Sequence, residues 1–228
     1  MPDKARARRV AKLLADSYPD AWCALRHENA WQLLVATILA AQCTDERVNM
    51  VTPELFAEYP DPAALAAADP EALETMIHST GFFRQKAKSL RAVATAVTTD
   101  FSGELPRDID TLVKLPGIGR KTANVVLGTS FGVPSIVVDT HVRRLSQRLG
   151  MTDETDPDKI EMDLRALLPE GDWTHFTHRL IHHGRRVCSA RKPRCTDCPI
   201  LKQCPQIGVS DDPPPPKRRR SRAGTGRG

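Results

Sequence analysis

The 228-residue chain has no long apolar run, no clear strand, no internal repeat and few aromatic residues, 5% in all. Its most apolar stretch, Leu33 to Ala41, has about half of the roughly 20 residues that a bilayer span requires. Behind the basic start MPDKARARRV there is no apolar segment of the kind an export signal carries. The expectation is a cytoplasmic protein that neither spans a membrane nor is secreted. The one β-branched run, Ser135-Ile136-Val137-Val138, is too short and isolated to nucleate a sheet and reads as an extended connection. Hydrophobic residues still make up 40% of the chain, enough to bury a core and to argue against wholesale disorder.

What is present has the helical period. Trp31, Leu34, Val35, Ile38 and Leu39 form one apolar stripe, and Leu90, Val93, Ala94 and Val97 form another. Leu73, Met76 and Ile77 follow Asp69-Pro70, and Ile160, Leu164, Leu167 and Leu168 follow Asp156-Pro157, each pair an N-cap with proline in the first turn. Trp173, Phe176 and Leu180 open a further helix. The expected fold class is all-α.

The formal charge is +5, but it is unevenly spread. Between Arg179 and Cys204 seven bases face one acid, and beyond Ser210 six bases face two, so the rest of the chain is net acidic. A local positive field at a folded site suits a polyanion such as nucleic acid, and a soluble surface is the plainer alternative. The stretch DDPPPPKRRRSRAGTGRG has little to bury, and residues 209–228 are expected to be a disordered basic tail.

Residues 109–128 read IDTLVKLPGIGRKTANVVLG: a short helix that Pro116 must end, a turn holding Gly117 and Gly119, and a second helix. Two glycines permit close backbone approach, and the uncapped N–H groups of the second helix sit at a positive dipole end, so the unit can grip a phosphate without reading sequence. Lys121 lies at that helix start, where phosphate contact is its ordinary role. With Arg120 and the dipole beside it, its free amine is expected to be favoured, which would make it a nucleophile. Asp139, in VDTHVRRL, is most simply an N-cap. Together, an amine and a carboxylate supply an attacking group and a charge to steady an oxocarbenium ion.

Four of the six cysteines, Cys188, Cys195, Cys198 and Cys204, follow the pattern C-x6-C-x2-C-x5-C. With no export signal they read as ligands of a compact metal centre. Zinc and a [4Fe–4S] cluster both accept such a set; a single C-x2-C pair is fewer than zinc ribbons usually show and favours iron–sulfur. Arg191, Lys192 and Arg194 lie in the first gap as a candidate phosphate-binding loop. Cys23 and Cys43 stand apart and read as small buried residues.

Taken together, LPGIGRKTANVVLG, VDTHVRR, AQCTD and HGRRVCSARKPRCTDCPILKQC resemble the endonuclease III family, bifunctional DNA glycosylases and abasic-site lyases of base excision repair. The resemblance spans roughly residues 8–208. It implies two helical lobes with double-stranded DNA in the cleft between them: a six-helix barrel with the helix-hairpin-helix over 23–133, and a lobe of 1–22 plus 134–208 around a [4Fe–4S] cluster on the four cysteines. It implies Lys121 as the Schiff-base lysine, Asp139 as the essential aspartate, and Gln42 as the side chain filling the gap left by an everted nucleotide. His141 matches a motif histidine without an assigned role. Oxidised pyrimidines and abasic sites would be the substrates, a monomer the working form. Ala40 and Phe82-Phe83 depart from the family's pattern at positions that face DNA, and so bear on base preference and the opposite-strand contact.

Other readings on the same fold are adenine- and thymine-mismatch glycosylases. Lys121 disfavours both, and the adenine enzymes carry a glutamate in the helix where Trp31 to Gln42 has no acid. From another class, a non-catalytic DNA-binding module with a four-cysteine metal site would share the charge and the cysteines.

Overall fold

The computed structural model describes residues 3–209; most of the expected basic tail lies outside the described residues. Among these residues there are helices and no strand. In chain order the α-helices are α1 (Lys4–Ser17), α2 (Ala30–Leu39), α3 (Asp45–Glu58), α4 (Pro62–Ala66), α5 (Pro70–Ile77), α6 (Phe83–Phe101), α7 (Ile109–Leu112), α8 (Arg120–Ser130), α9 (Thr140–Arg148), α10 (Pro157–Leu167) and α11 (Trp173–Arg186). Most begin on a local signal. The side chains of Asp69, Asp139 and Asp156 each accept a backbone N–H of the first turn, as Asn29, Thr44, Asp61 and Asp108 also do.

Two apolar clusters hold the chain together. One gathers residues from Leu25 to Leu127 around α2, which packs against α3, α6 and α8. Periodicity assigns α2 a single apolar stripe, but Leu33 and Ala36 are as buried as Leu34 and Val35, because neighbours surround the helix on several sides. The other cluster joins α1 to α9, α10 and α11 through Val10, Leu14, Leu145, Leu164, Phe176 and Leu180. Helix α3 carries no stripe that periodicity would find. Pro53 lies inside it and its buried face includes Thr52.

Residues 135–138 are the extended connection that the sequence implied, buried without strand partners. Side chains replace the missing ladder: the Ser135 N–H donates to Thr174 Oγ1 at 3.1 Å, and Asn124 Nδ2 donates to the Ile136 carbonyl at 3.0 Å. This link ties α8 to the segment that ends in Asp139. No described helix is long and apolar enough to cross a membrane.

Candidate active site and metal centre

The hairpin between α7 and α8 starts earlier than Pro116 alone would dictate. Helix α7 ends at Leu112, and turns closed by Lys114 N–H to Thr111 O and Leu115 N–H to Leu112 O follow. Ile118, 5% exposed, plugs the hairpin into the core between its two glycines. Gly117 has φ +75°, a left-handed conformation that favours glycine, while Gly119 faces open space and is the N-cap of α8 without any side-chain cap. The first N–H groups of α8 therefore lack the carboxylate, amide or hydroxyl cap that α2, α3, α5, α9 and α10 possess.

Lys121 is exposed in the first turn of α8, and Asp139 is the N-cap of α9, where its Oδ1 accepts the Val142 N–H at 2.8 Å. Both line one open cleft, with walls drawn from the two apolar clusters: Leu25, Ala40 and Val125 on one side, Ile181 on the other. Gln42, Cys23, Cys43 and His141 line it as well. Burial pushes the His141 imidazole below its usual value despite the Asp139 charge, and Arg144 Nη2 lies 3.1 Å from its Nδ1.

Arg120 does not accompany the Lys121 amine as the sequence suggested. Its guanidinium makes paired bonds of 2.7 and 2.9 Å to Glu161 of α10, a side chain only 2% exposed that also takes Asn124 Nδ2 at 3.0 Å and Arg165 at 2.6 Å. Arg120 thus fastens the start of α8 to the second cluster of helices. Spacing gave no sign of Glu161, 41 residues away from Arg120.

Two further contacts near the cleft, one across it and one behind a single wall, escaped the sequence reading. Arg185 of α11 reaches Asp45 of α3 at 2.8 Å. Gly184 allows α9 and α11 to meet, since a Cβ there would lie 2.9 Å from His141 Nδ1. Gln42 (φ +55°) and Phe82 (φ +49°) are exposed residues in left-handed backbone. The buried Lys86 ammonium donates to Leu39 O at 2.7 Å and Thr80 O at 2.8 Å, so one side chain pins the loops that carry both. Burial lowers the Lys86 pKa.

Cys188, Cys195, Cys198 and Cys204 line one recess, floored by Leu145, Leu149 and Ile200. Short 3-10 turns at Cys195–Asp197 and Leu201–Gln203 fold the spacing into this ring. Burial pushes the Cys198 thiol up to about 11, and the other three thiols add to the effect, so the four groups feel one another. Buried Arg148 donates to Cys188 Sγ at 3.2 Å, and the Gln206 N–H donates to Cys204 Sγ at 3.4 Å. Among the described residues no three His, Cys, Asp or Glu side chains converge on the position of a single ion. Arg191 and Lys192 project from the loop, exposed; Arg194, also exposed, turns its guanidinium back to the Arg186 carbonyl at the end of α11.

Comparison with known proteins places these features in context. A family model described as HhH-GPD superfamily base excision DNA repair protein matches residues 35–170. Endonuclease III of Synechocystis sp. is 52% identical over 91% of this chain and 95% of its own. A solved non-covalent endonuclease III–DNA complex superposes with a TM-score of 0.86 at 44% identity, covering 90% of this chain and 97% of that one. A trapped endonuclease III–DNA covalent intermediate does so with a TM-score of 0.86 at 43% identity and the same coverage.

Proposed function

The chain belongs to the HhH-GPD superfamily of base excision DNA repair proteins and within it to the endonuclease III family, and from that premise we propose that Lys121 is its covalent nucleophile on damaged DNA. It is a base excision repair DNA glycosylase with abasic-site lyase activity. The observation that carries the residue assignment is the shared cleft: Lys121 and Asp139 come from different helices, yet both line it.

The substrate of this reading is an oxidised pyrimidine in duplex DNA, everted because C1′ is inaccessible in the stack and a lesion weakens pairing. The Lys121 amine nitrogen, once freed of its proton, attacks C1′. As the Nζ–C1′ bond forms, the glycosidic bond breaks and the base leaves with the bonding pair, taking up the proton that Nζ sheds and Asp139 relays. Asp139 accepts the proton that Lys121 must lose and holds negative charge near the cationic sugar. Opening of the sugar gives an iminium, which acidifies the C2′ hydrogen. Removal of that proton expels the 3′ phosphate, and water then frees Lys121.

Around this pair, the uncapped N–H groups behind Gly117 and Gly119 would hold a backbone phosphate, Gln42 would enter the vacated stack, and Arg191 and Lys192 would contact phosphate further along. Arg194 is assigned a lesser share, since it serves the end of α11. The working unit of this reading is a cytoplasmic, nucleoid-associated monomer with a barrel lobe over 23–133 and a second lobe of 1–22 plus 134–208.

The four cysteines suit a [4Fe–4S] cluster. Donor chemistry fits, because four thiols with N–H groups aimed at two of the sulfurs match thiolate ligation. The arrangement also suits it, since the thiols ring a recess and do not converge on the point where a zinc ion with Zn–S of about 2.3 Å would need them. Such a cluster would supply rigidity to the loop bearing Arg191 and Lys192. An iron–sulfur protein shows visible absorbance that zinc, with its filled d shell, cannot give.

Borohydride trapping on duplex DNA with an abasic site tests the assignment. The native protein should yield a covalent complex and Lys121→Ala none, while binding of the same duplex persists. A trapped complex with Lys121→Ala would remove the nucleophile assignment.

A further inference from the structure

Trp22 has no part in the steps above, yet it lines the cleft that holds Lys121 and Asp139. Of the three tryptophans, Trp31 is 6% exposed and buried in the first cluster, and Trp173 packs against the second, whereas Trp22 is 44% exposed. Its position is fixed from behind: His175 and His178, one turn apart on α11, lie with ring centroids 4.9 and 4.7 Å from it. His178 is in turn within 3.4 Å of Thr129 Oγ1 on α8, so the brace reaches the helix that carries Lys121. Burial, with His175 adding, lowers His178 to about 4, which keeps a neutral ring in the stack at working pH.

An everted nucleobase loses the stacking it had in the duplex, and a rigid aromatic face recovers part of it. Rigidity matters because a free indole would give up rotamer entropy on binding, and one already braced gives up less. Among the residues lining this cleft Trp22 alone offers a large aromatic surface beyond histidine rings. We propose that Trp22, braced by His175 and His178, is the stacking platform for the everted base, a specificity-determining residue of the cleft. The proposal rests on the glycosylase reading, and it makes a demand that reading does not: Trp22 matters only while a base is attached to the sugar.

The test is therefore a comparison of two steps in one variant. Single-turnover excision of an oxidised pyrimidine and strand cleavage at a preformed abasic site are measured for native protein, Trp22→Ala and Trp22→Phe. The ratio of excision rate to cleavage rate should fall about tenfold in Trp22→Ala, within the range that base–aromatic stacking supplies, and return to within about threefold of native in Trp22→Phe. An unchanged ratio, or equal losses in both steps, overturns the platform, since a merely structural role would slow both alike. If native protein cleaves no abasic site and traps no adduct, the failure is that of the Lys121 assignment instead.

Discussion

At the scale of single residues, the proposed reading gives Asp139 a second role beside its observed one, and substitution can separate the two. As N-cap it needs only an oxygen for the Val142 N–H, which asparagine also provides; as the proposed partner of Lys121 it would need its charge. Asp139→Asn should therefore keep the melting temperature within a degree or two while lowering single-turnover excision by roughly 100-fold or more. Asp139→Ala should add a stability loss of about 1 kcal/mol, read by urea denaturation. Equal stability loss in both variants would mean the cap is not what asparagine preserves. The capping half of this pair was legible in the sequence because a cap acts over three residues. Glu161 was not, since its worth lies in bringing Arg120, Arg165 and Asn124 together from helices distant in the chain.

At the scale of elements, α8 is held at two places: the Glu161 network ties its start to α10, and the Asn124 bond to Ile136 O ties it to the segment leading to Asp139. Glu161→Ala leaves two guanidinium groups and an amide without their acceptor. It should destabilise the protein by about 3 kcal/mol in denaturant unfolding, less than a fully buried pair would because Arg120 is one-third exposed. A loss below about 1 kcal/mol would show that water replaces the carboxylate. The loop between Cys188 and Cys195 poses a different question. Replacing Arg191 and Lys192 with alanine should reduce the slope of log K against log salt by about two, and an unchanged slope would remove both from the phosphate contacts. Most helices here were readable from caps and stripes. Helix α3 was not, because Pro53 and Thr52 interrupt the pattern and its burial is set by α2 and by the 3-10 turn after α5.

At the scale of the whole molecule, two clusters of helices face each other over one cleft, joined by Arg185–Asp45 and the Glu161 network. Histidines on α11 lie along that junction, and His178 is the informative one. Its folded pKa of about 4 is below the unfolded value near 6.5, so the unfolded chain binds the proton first. Stability is then fully present above about pH 6.5 and declines as pH falls toward 4, by an amount on the order of 3 kcal/mol; a His178→Gln variant should lack that part of the decline. Fold class and the chemistry-bearing residue types were written along the chain, whereas the pairing of opposite walls emerges only from packing at long range. The central claim concerns one atom, Lys121 Nζ. Its most direct test is mass spectrometry of peptides from native protein reduced with borohydride on an abasic duplex. A sugar-derived mass on Lys121, with trypsin failing to cut after it, is the expected result; an adduct on any other residue, or none at all, would contradict the account.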